Sequence, residues 1–329
     1  MRMSFQTGMF VSQLIFMLAL ATVPAIDVDA QEPVVTPVNI FGDGDPDNGI
    51  EDSRQQMLNG RTGGEGLSDQ RMNAGTIKCD GAVRGTAMVL DTREFAPDLE
   101  GAVLASAAHV LYDLDNNKRF KRCEFHFLAL DELARYRAKI DMKNISMGDF
   151  DPQAATSGLA FGEGDWVFLY VARPWKNFDA DEAIVAREFI FEDQHAFRQS
   201  GGEIRLIAFD SDEDVISVSR NCAVFESTPA DLGGGEWRGQ LLDNCDSAGG
   251  ASGGGLVAVL NGEQSLIGIR SGSHWGEQAY PAEQFPTGPP DGALWNRQTN
   301  TNFGRAIDAG LMLELRRFSR SLEKSRKTL

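Results

Sequence analysis

The sequence predicts an all-β fold, and three observations predict it. Apolar runs are short and bounded by turn residues, one segment alternates strictly, and helical spacing closes the chain. The first strands fall at residues 86–90 and 101–104. Residues 136–143, Tyr-Arg-Ala-Lys-Ile-Asp-Met-Lys, alternate apolar with polar, as a half-buried strand does. Residues 204–209, 215–218, 223–225 and 256–260 continue the series, with no repeat at a fixed period. Many short strands separated by turns point to barrels or a sandwich. Pro281, Pro286, Pro289 and Pro290 interrupt regular structure across 273–302, which reads either as one wall of a substrate cleft or as a surface insertion. In the tail, Ile307, Leu311, Leu315 and Phe318 share one helical face, with Glu314, Arg316 and Arg317 on the other. That face is expected to pack on its own barrel, with residues 323–329 frayed.

A chain of 329 residues with 42% hydrophobic content is long enough for a sizeable core. Its net charge of −17 is spread along the sequence, which argues against nucleic acid and anionic membrane surfaces as partners. Residues 1–30 read as a signal peptide. Arg2 opens it, 9–25 is largely apolar, and Val28-Asp29-Ala30 suits a small-residue cleavage site. A secreted or periplasmic protein without stable membrane insertion is expected. The four cysteines suit that compartment, and with no Cys-x-x-Cys pair a zinc site is not expected. Three disulfide pairings are possible.

Residues 31–70 are polar and glycine-rich and read as an extended arm or propeptide. The alternating aspartates of 43–49 imitate a calcium loop, but the glycine falls one place late and Arg54 stands where a bidentate glutamate is needed. A domain spanning 71–320 and a polar tail at 321–329 complete the expected organisation.

The chemistry concentrates in Asp243-Asn-Cys-Asp-Ser-Ala-Gly-Gly-Ala-Ser252-Gly-Gly-Gly-Leu256. Here Ser252 sits in a glycine-rich turn that runs into an apolar strand. Glycine permits backbone angles that aim several N–H groups at one point. A hydroxyl beside such donors supplies a nucleophile and a hole for an oxyanion. Two upstream stretches supply the remaining parts. Leu104-Ala-Ser-Ala-Ala-His109 ends a strand on a histidine, a base near neutral pH. Gly164-Asp165-Trp-Val-Phe-Leu-Tyr-Val171 opens a strand on an aspartate, which can orient that base. The other histidines have poorer settings: His126 reads as a strand residue, His195 lies in a polar stretch, and for His274 contact with substrate is the lesser reading.

Together these stretches resemble the trypsin-like (chymotrypsin-fold) serine peptidases, and in particular the bacterial secreted members that include the glutamyl-endopeptidase-like branch. The resemblance covers residues 71–320. It implies two antiparallel Greek-key β-barrels with a C-terminal helix, and a cleft between the barrels. It also implies a triad of His109, Asp165 and Ser252, and an oxyanion hole from the N–H groups of Gly250 and Ser252. A substrate pocket lined by Asp246, Arg270, Ser271 and Ser273 follows from the same resemblance. The implied function is a secreted serine endopeptidase that cuts protein or peptide substrates through an acyl-enzyme, with no cofactor and no metal. Asp246 would favour basic substrates as the pocket floor, whereas an inward Arg270 would neutralise it or favour acidic ones. The preferred disulfides are Cys79–Cys123 and Cys222–Cys245, each bracketing one of these stretches. Two departures stand out. Ala251 replaces the acidic residue that in the animal digestive enzymes pairs with a newly cut N-terminus, and Gly255 replaces a proline.

Two rival readings remain. Gly250-Ala-Ser252-Gly-Gly254 also matches the elbow of α/β-hydrolases, but there the acid and then the histidine must follow the serine. A catalytically silent secreted binding protein on a peptidase fold is the non-enzymatic alternative.

Overall fold

Most strand-forming residues fall in two runs along the chain, 74–171 and 203–306, and each run builds one mainly antiparallel sheet. The computed structural model describes residues 40–42, 52–58, 61–62, 74–128, 135–153, 164–174, 183–220, 222–228, 231, 239–276, 278–281, 283–285 and 289–327. All of these belong to one compact unit, Pro33–Leu329. The signal-peptide reading of 1–30 and the calcium-like stretch 43–49 lie outside the described residues.

The first sheet is ordered Arg135–Lys139, Cys123–Leu128, Ala74–Cys79, Ala82–Leu90, Ala102–Ser106, Val167–Val171, Ile145–Met147, antiparallel throughout. The second is ordered Val224–Glu226, Gln240–Asp243, Asn300–Ala306, Glu263–Trp275, Gly255–Leu260, Glu203–Asp210, Val215–Ser219, Arg54–Leu58, Arg61–Thr62. The short strand Val185–Ala186 joins its Glu263–Trp275 member in parallel. Both sheets curl into half-barrels. Ile77, Met88, Leu104, Phe125 and Leu169 of the first meet Ile207, Val257, Leu266 and Ile269 of the second in one buried cluster. Each such side chain contributes about 1.5–3 kcal/mol on burial. The shared core fixes the two sheets against each other, and with them the edges where the candidate residues lie.

The C-terminal helix, Ala309–Lys327, is started by Asp308. Its carboxylate accepts the Leu311 N–H at 2.8 Å and its carbonyl accepts the Met312 N–H at 2.9 Å. Ile307, Leu311, Leu315, Phe318 and Leu322 enter the same core, so the helix packs on its own chain. It continues past the expected fraying point because Leu322 is buried and Glu323 Oε1 accepts the Asp98 N–H at 2.8 Å.

Two other expectations are corrected. The alternating segment 136–143 ends as a strand at Lys139. Asp141 then accepts the Lys143 N–H and the Asn144 side-chain amide and turns the chain. The expected loop from 273 begins later, because Ser273, His274 and Trp275 pair with Asn302, Thr301 and Asn300. Described parts of the arm are also woven in. Phe41–Gly42 runs parallel to Ala293–Leu294, and Arg54–Leu58 extends the second sheet beside Val215–Ser219. Cys79 is bonded to Cys123 and Cys222 to Cys245, the preferred pairing. Among the described residues, no helix is long and apolar enough to cross a membrane.

Leu315→Ala is expected to lower unfolding free energy by about 2–5 kcal/mol, read by denaturant titration. His126 supplies a pH test. Burial, opposed by Glu124 and reinforced by Lys78 and Arg137, holds its pKa below the ordinary value. The folded state therefore resists its protonation, and stability falls as pH drops below about 6.5. His126→Gln should flatten that decline in unfolding curves recorded from pH 7.5 downward.

Candidate active site

Strand pairing brings His109 and Asp165 together. Ala102–Ser106 and Val167–Val171 are antiparallel, with Ser106 opposite Val167. Continuing that register carries the residues just after 106 past those just before 167. His109 lies there in a short 3-10 turn, Ala108–Leu111. Asp165 is fully buried. Its Oδ1 accepts the His109 backbone N–H at 2.9 Å, and its Oδ2 lies 2.9 Å from the His109 Nδ1. A carboxylate only accepts, so Nδ1 carries a proton, and in the neutral ring the lone pair is then on Nε2. The imidazole is 11% exposed, shielded yet reachable, with Phe150 tilted against it at 6.3 Å.

The Ser252 turn is clamped to the first sheet by Thr86. The Thr86 N–H donates to the Ser252 carbonyl at 2.7 Å, and its Oγ1 donates to the Gly250 carbonyl at 2.9 Å while accepting the Phe209 N–H at 2.8 Å. Ser106 Oγ, three residues before His109, donates to the Thr86 carbonyl at 2.6 Å. A continuous hydrogen-bonded chain thus joins the histidine-bearing strand end to the serine turn. Gly253 has φ +81°, and a Cβ there would strike Ser106 Oγ and the Thr86 carbonyl, so only glycine permits this approach. On the other side the Gly253 N–H donates to the Arg270 carbonyl and the Arg270 N–H to the Gly254 carbonyl, each at 2.8 Å. Ser252 Oγ donates to the Ser271 carbonyl at 3.2 Å. Gly250 takes φ +86° against the Phe209 ring. Among the described residues, the N–H groups of Gly250 and Ser252 have no acceptor, which leaves both as donors.

The four pocket residues flank this turn, but the side chains of three have other partners. Arg270 does point inward, as one of the two expectations required. It is 1% exposed, and its ion pair goes to the fully buried Asp243 at 2.5 Å, with Ser247 Oγ at 3.2 Å. Burial pushes the Asp243 carboxyl up against the attraction of Arg270. Asp246 accepts the Phe41 N–H on Oδ1 and the Ser53 N–H on Oδ2, each at 2.8 Å. Burial raises its pKa, and the Ser53 and Phe41 bonds oppose the rise. Ser273 Oγ meets Asn302 Oδ1 at 2.5 Å, and the Asn302 amide donates to the Cys245 carbonyl. Ser271 is buried beside Ser252.

Of the remaining histidines, His126 lies on a strand beside Glu124 at 3.3 Å. His195 is exposed near Gln199. His274 is partly buried on the Glu263–Trp275 strand, where burial lowers its pKa against a bond to the Gln298 backbone. An open hollow of about 530 Å³ beside the C-terminal helix, lined by Val185, Arg187 and Met312 among others, shares no residue with this site.

No protein-family model matches the chain, and no curated protein matches its sequence.

Sequence reasoning missed Thr86, Asp243 and Asn302. Thr86 left a signal, a polar residue opening the apolar run 86–90. Asp243 and Asn302 left none, since each gains its role only through pairing across strands.

Thr86→Val keeps the shape but orphans the buried Phe209 N–H and the Gly250 carbonyl. It is expected to cost about 1–3 kcal/mol in chemical denaturation. Arg270→Met strands the Asp243 carboxylate and should cost about 3–5 kcal/mol, with much of the loss recovered in the double variant with Asp243→Leu.

Proposed function

We propose that the protein is a serine endopeptidase of the trypsin-like type, acting through His109, Asp165 and Ser252. One observation carries the reading. A fully buried carboxylate takes both the backbone N–H and the Nδ1 proton of a single histidine, on the strand end that Ser106 and Thr86 tie to the Ser252 turn. A packed structural histidine needs no second bond to the same aspartate and no serine turn fastened beside its strand.

In the proposed reaction, Ser252 Oγ attacks the carbonyl carbon of a peptide bond and His109 Nε2 takes the hydroxyl proton. Asp165 holds the ring in one tautomer and stabilises the imidazolium. The N–H groups of Gly250 and Ser252 donate to the oxyanion, a contribution typically worth about 3 kcal/mol per donor. His109 then delivers its proton to the leaving amine nitrogen. Water, deprotonated by His109 Nε2, attacks the acyl carbon, and that nitrogen returns the proton to Ser252 Oγ as the carboxylic product leaves. Attack requires the hydroxyl to swing from the Ser271 carbonyl toward Nε2.

That resting bond to Ser271 is also what favours the second reading, a silent binding protein on a peptidase fold. On selectivity, Asp246 and Arg270 are already satisfied by backbone N–H groups and by Asp243. Neither is a free counter-ion, so the proposed pocket does not select through the charge of either residue. Secretion or periplasmic export is proposed with it, on the two disulfides and the leader-like residues 1–30.

A fluorophosphonate probe is expected to label the disulfide-bonded protein, with labelling abolished in Ser252→Ala. Absence of wild-type labelling favours the binding protein. Asp165→Asn should lower the hydrolysis rate by about 10⁴-fold through the wrong tautomer, read with an activated ester.

A further inference from the structure

Two contacts from the N-terminal arm reach the loop that precedes Ser252, and others brace the residues beside it. The Phe41 N–H and the Ser53 N–H occupy the two oxygens of Asp246, each at 2.8 Å. Ser53 Oγ also meets Ser219 Oγ at 2.8 Å, beside the Cys222–Cys245 disulfide that anchors the loop's other end. Arg54 reaches Asp210 at 3.0 Å and Asp212 at 3.5 Å, while Asp52 holds its guanidinium at 2.7 Å. Asp210 and Asp212 flank Ser211, whose N–H donates to the Gly249 carbonyl at 3.0 Å. The arm therefore grips the loop at Asp246 directly and at Gly249 through one intervening residue.

The loop needs such support. Gly249, Gly250, Gly253, Gly254 and Gly255 lose more conformational freedom on ordering than other residues do. The Gly250 N–H serves as an oxyanion donor only while its peptide keeps the φ +86° geometry. Asp246 is 5% exposed, and a carboxylate buried to that degree is costly without donors. Those donors come from residues about two hundred positions away in the chain.

We propose that the segment carrying Phe41, Ser53 and Arg54 is a built-in activation element. Docked, it holds Asp246 and the Gly249–Gly250 turn in the geometry that acyl transfer requires. Arg54 is a positioning residue for the oxyanion donors. The proposal rests on the hydrolase reading of Ser252.

The test compares full-length, disulfide-bonded wild type with Arg54→Ala and Arg54→Lys. Fluorophosphonate labelling rate, hydrolysis of p-nitrophenyl acetate and amide hydrogen exchange are measured on each, at a temperature where circular dichroism shows the protein folded. Arg54→Ala is expected to slow labelling and kcat about tenfold or more with KM little changed. Exchange at residues 249–252 should quicken by a similar factor while strand Ala82–Leu90 stays protected. Arg54→Lys, which keeps the charge, should recover most of the rate. Wild-type labelling with unchanged rate and exchange in Arg54→Ala overturns the activation element and leaves the hydrolase standing. Wild type that never labels overturns both. Should Arg54→Ala fail to fold, Asp246→Asn, which turns one acceptor oxygen into a donor facing an N–H, carries the same comparison with the same outcomes.

Discussion

The candidate site depends on one buried threonine. Thr86 spends its N–H and hydroxyl on the carbonyls of Ser252 and Gly250, and its own carbonyl takes the Ser106 hydroxyl. Hydrophobic packing alone would hold the two half-barrels together, because the shared core is continuous across them. Packing is non-directional, however, and leaves the sliding of one sheet edge against the other weakly specified. Three directional bonds cross between the sheets at this residue, from its N–H to Ser252, from its hydroxyl to Gly250 and from the Phe209 N–H to that hydroxyl, and with no room for a Cβ at Gly253 they set that last degree of freedom. Under the proposed hydrolase reading, placement of the nucleophile is worth orders of magnitude in rate, so a bond of modest stability would have a large consequence for activity.

The parts legible in the sequence are those whose signals are local. Ser252 sits in its own glycine turn, His109 at its own strand end, and Asp165 at its own strand start, so each declared itself within a few residues. The mostly β architecture and the amphipathic terminal helix were legible for the same reason, through short-period patterns. What stayed hidden depends on register. Arg270 finds Asp243 across the bulged pairing between Arg270 and Gly272, and a one-residue slip would send the guanidinium to the other face. Arg54 belongs to a polar stretch that reads as an extended arm or propeptide, and its partners Asp210 and Asp212 lie at a strand end and in the turn after it, some 150 residues on. No window of sequence contains both ends of such a contact.

The buried charges around the pocket also follow a single logic. Asp243 and Arg270 neutralise each other in a site where neither meets bulk water. Asp246 then remains as an excess negative charge close to both. Neutral backbone N–H groups stabilise it instead of a second cation. Backbone donors hold a carboxylate by direction as well as by charge, which limits the positions their strand can take.

That choice of donor bears on how the loop is kept ordered. In the animal digestive enzymes that the motifs resemble, a carboxylate beside the serine waits for an ammonium group created by cleavage. Ala251 removes that carboxylate here. Asp246 is a buried carboxylate in the same loop with donors from the N-terminal side, and those donors are backbone peptide groups. Peptide N–H groups need no cleavage to exist; they need only the arm to be docked. Docking is secured by pairing of Arg54–Leu58 with the second sheet and of Phe41–Gly42 with Ala293–Leu294. Competence of the serine turn would then be coupled to completion of the fold, with strand addition doing the work that a new terminus does elsewhere.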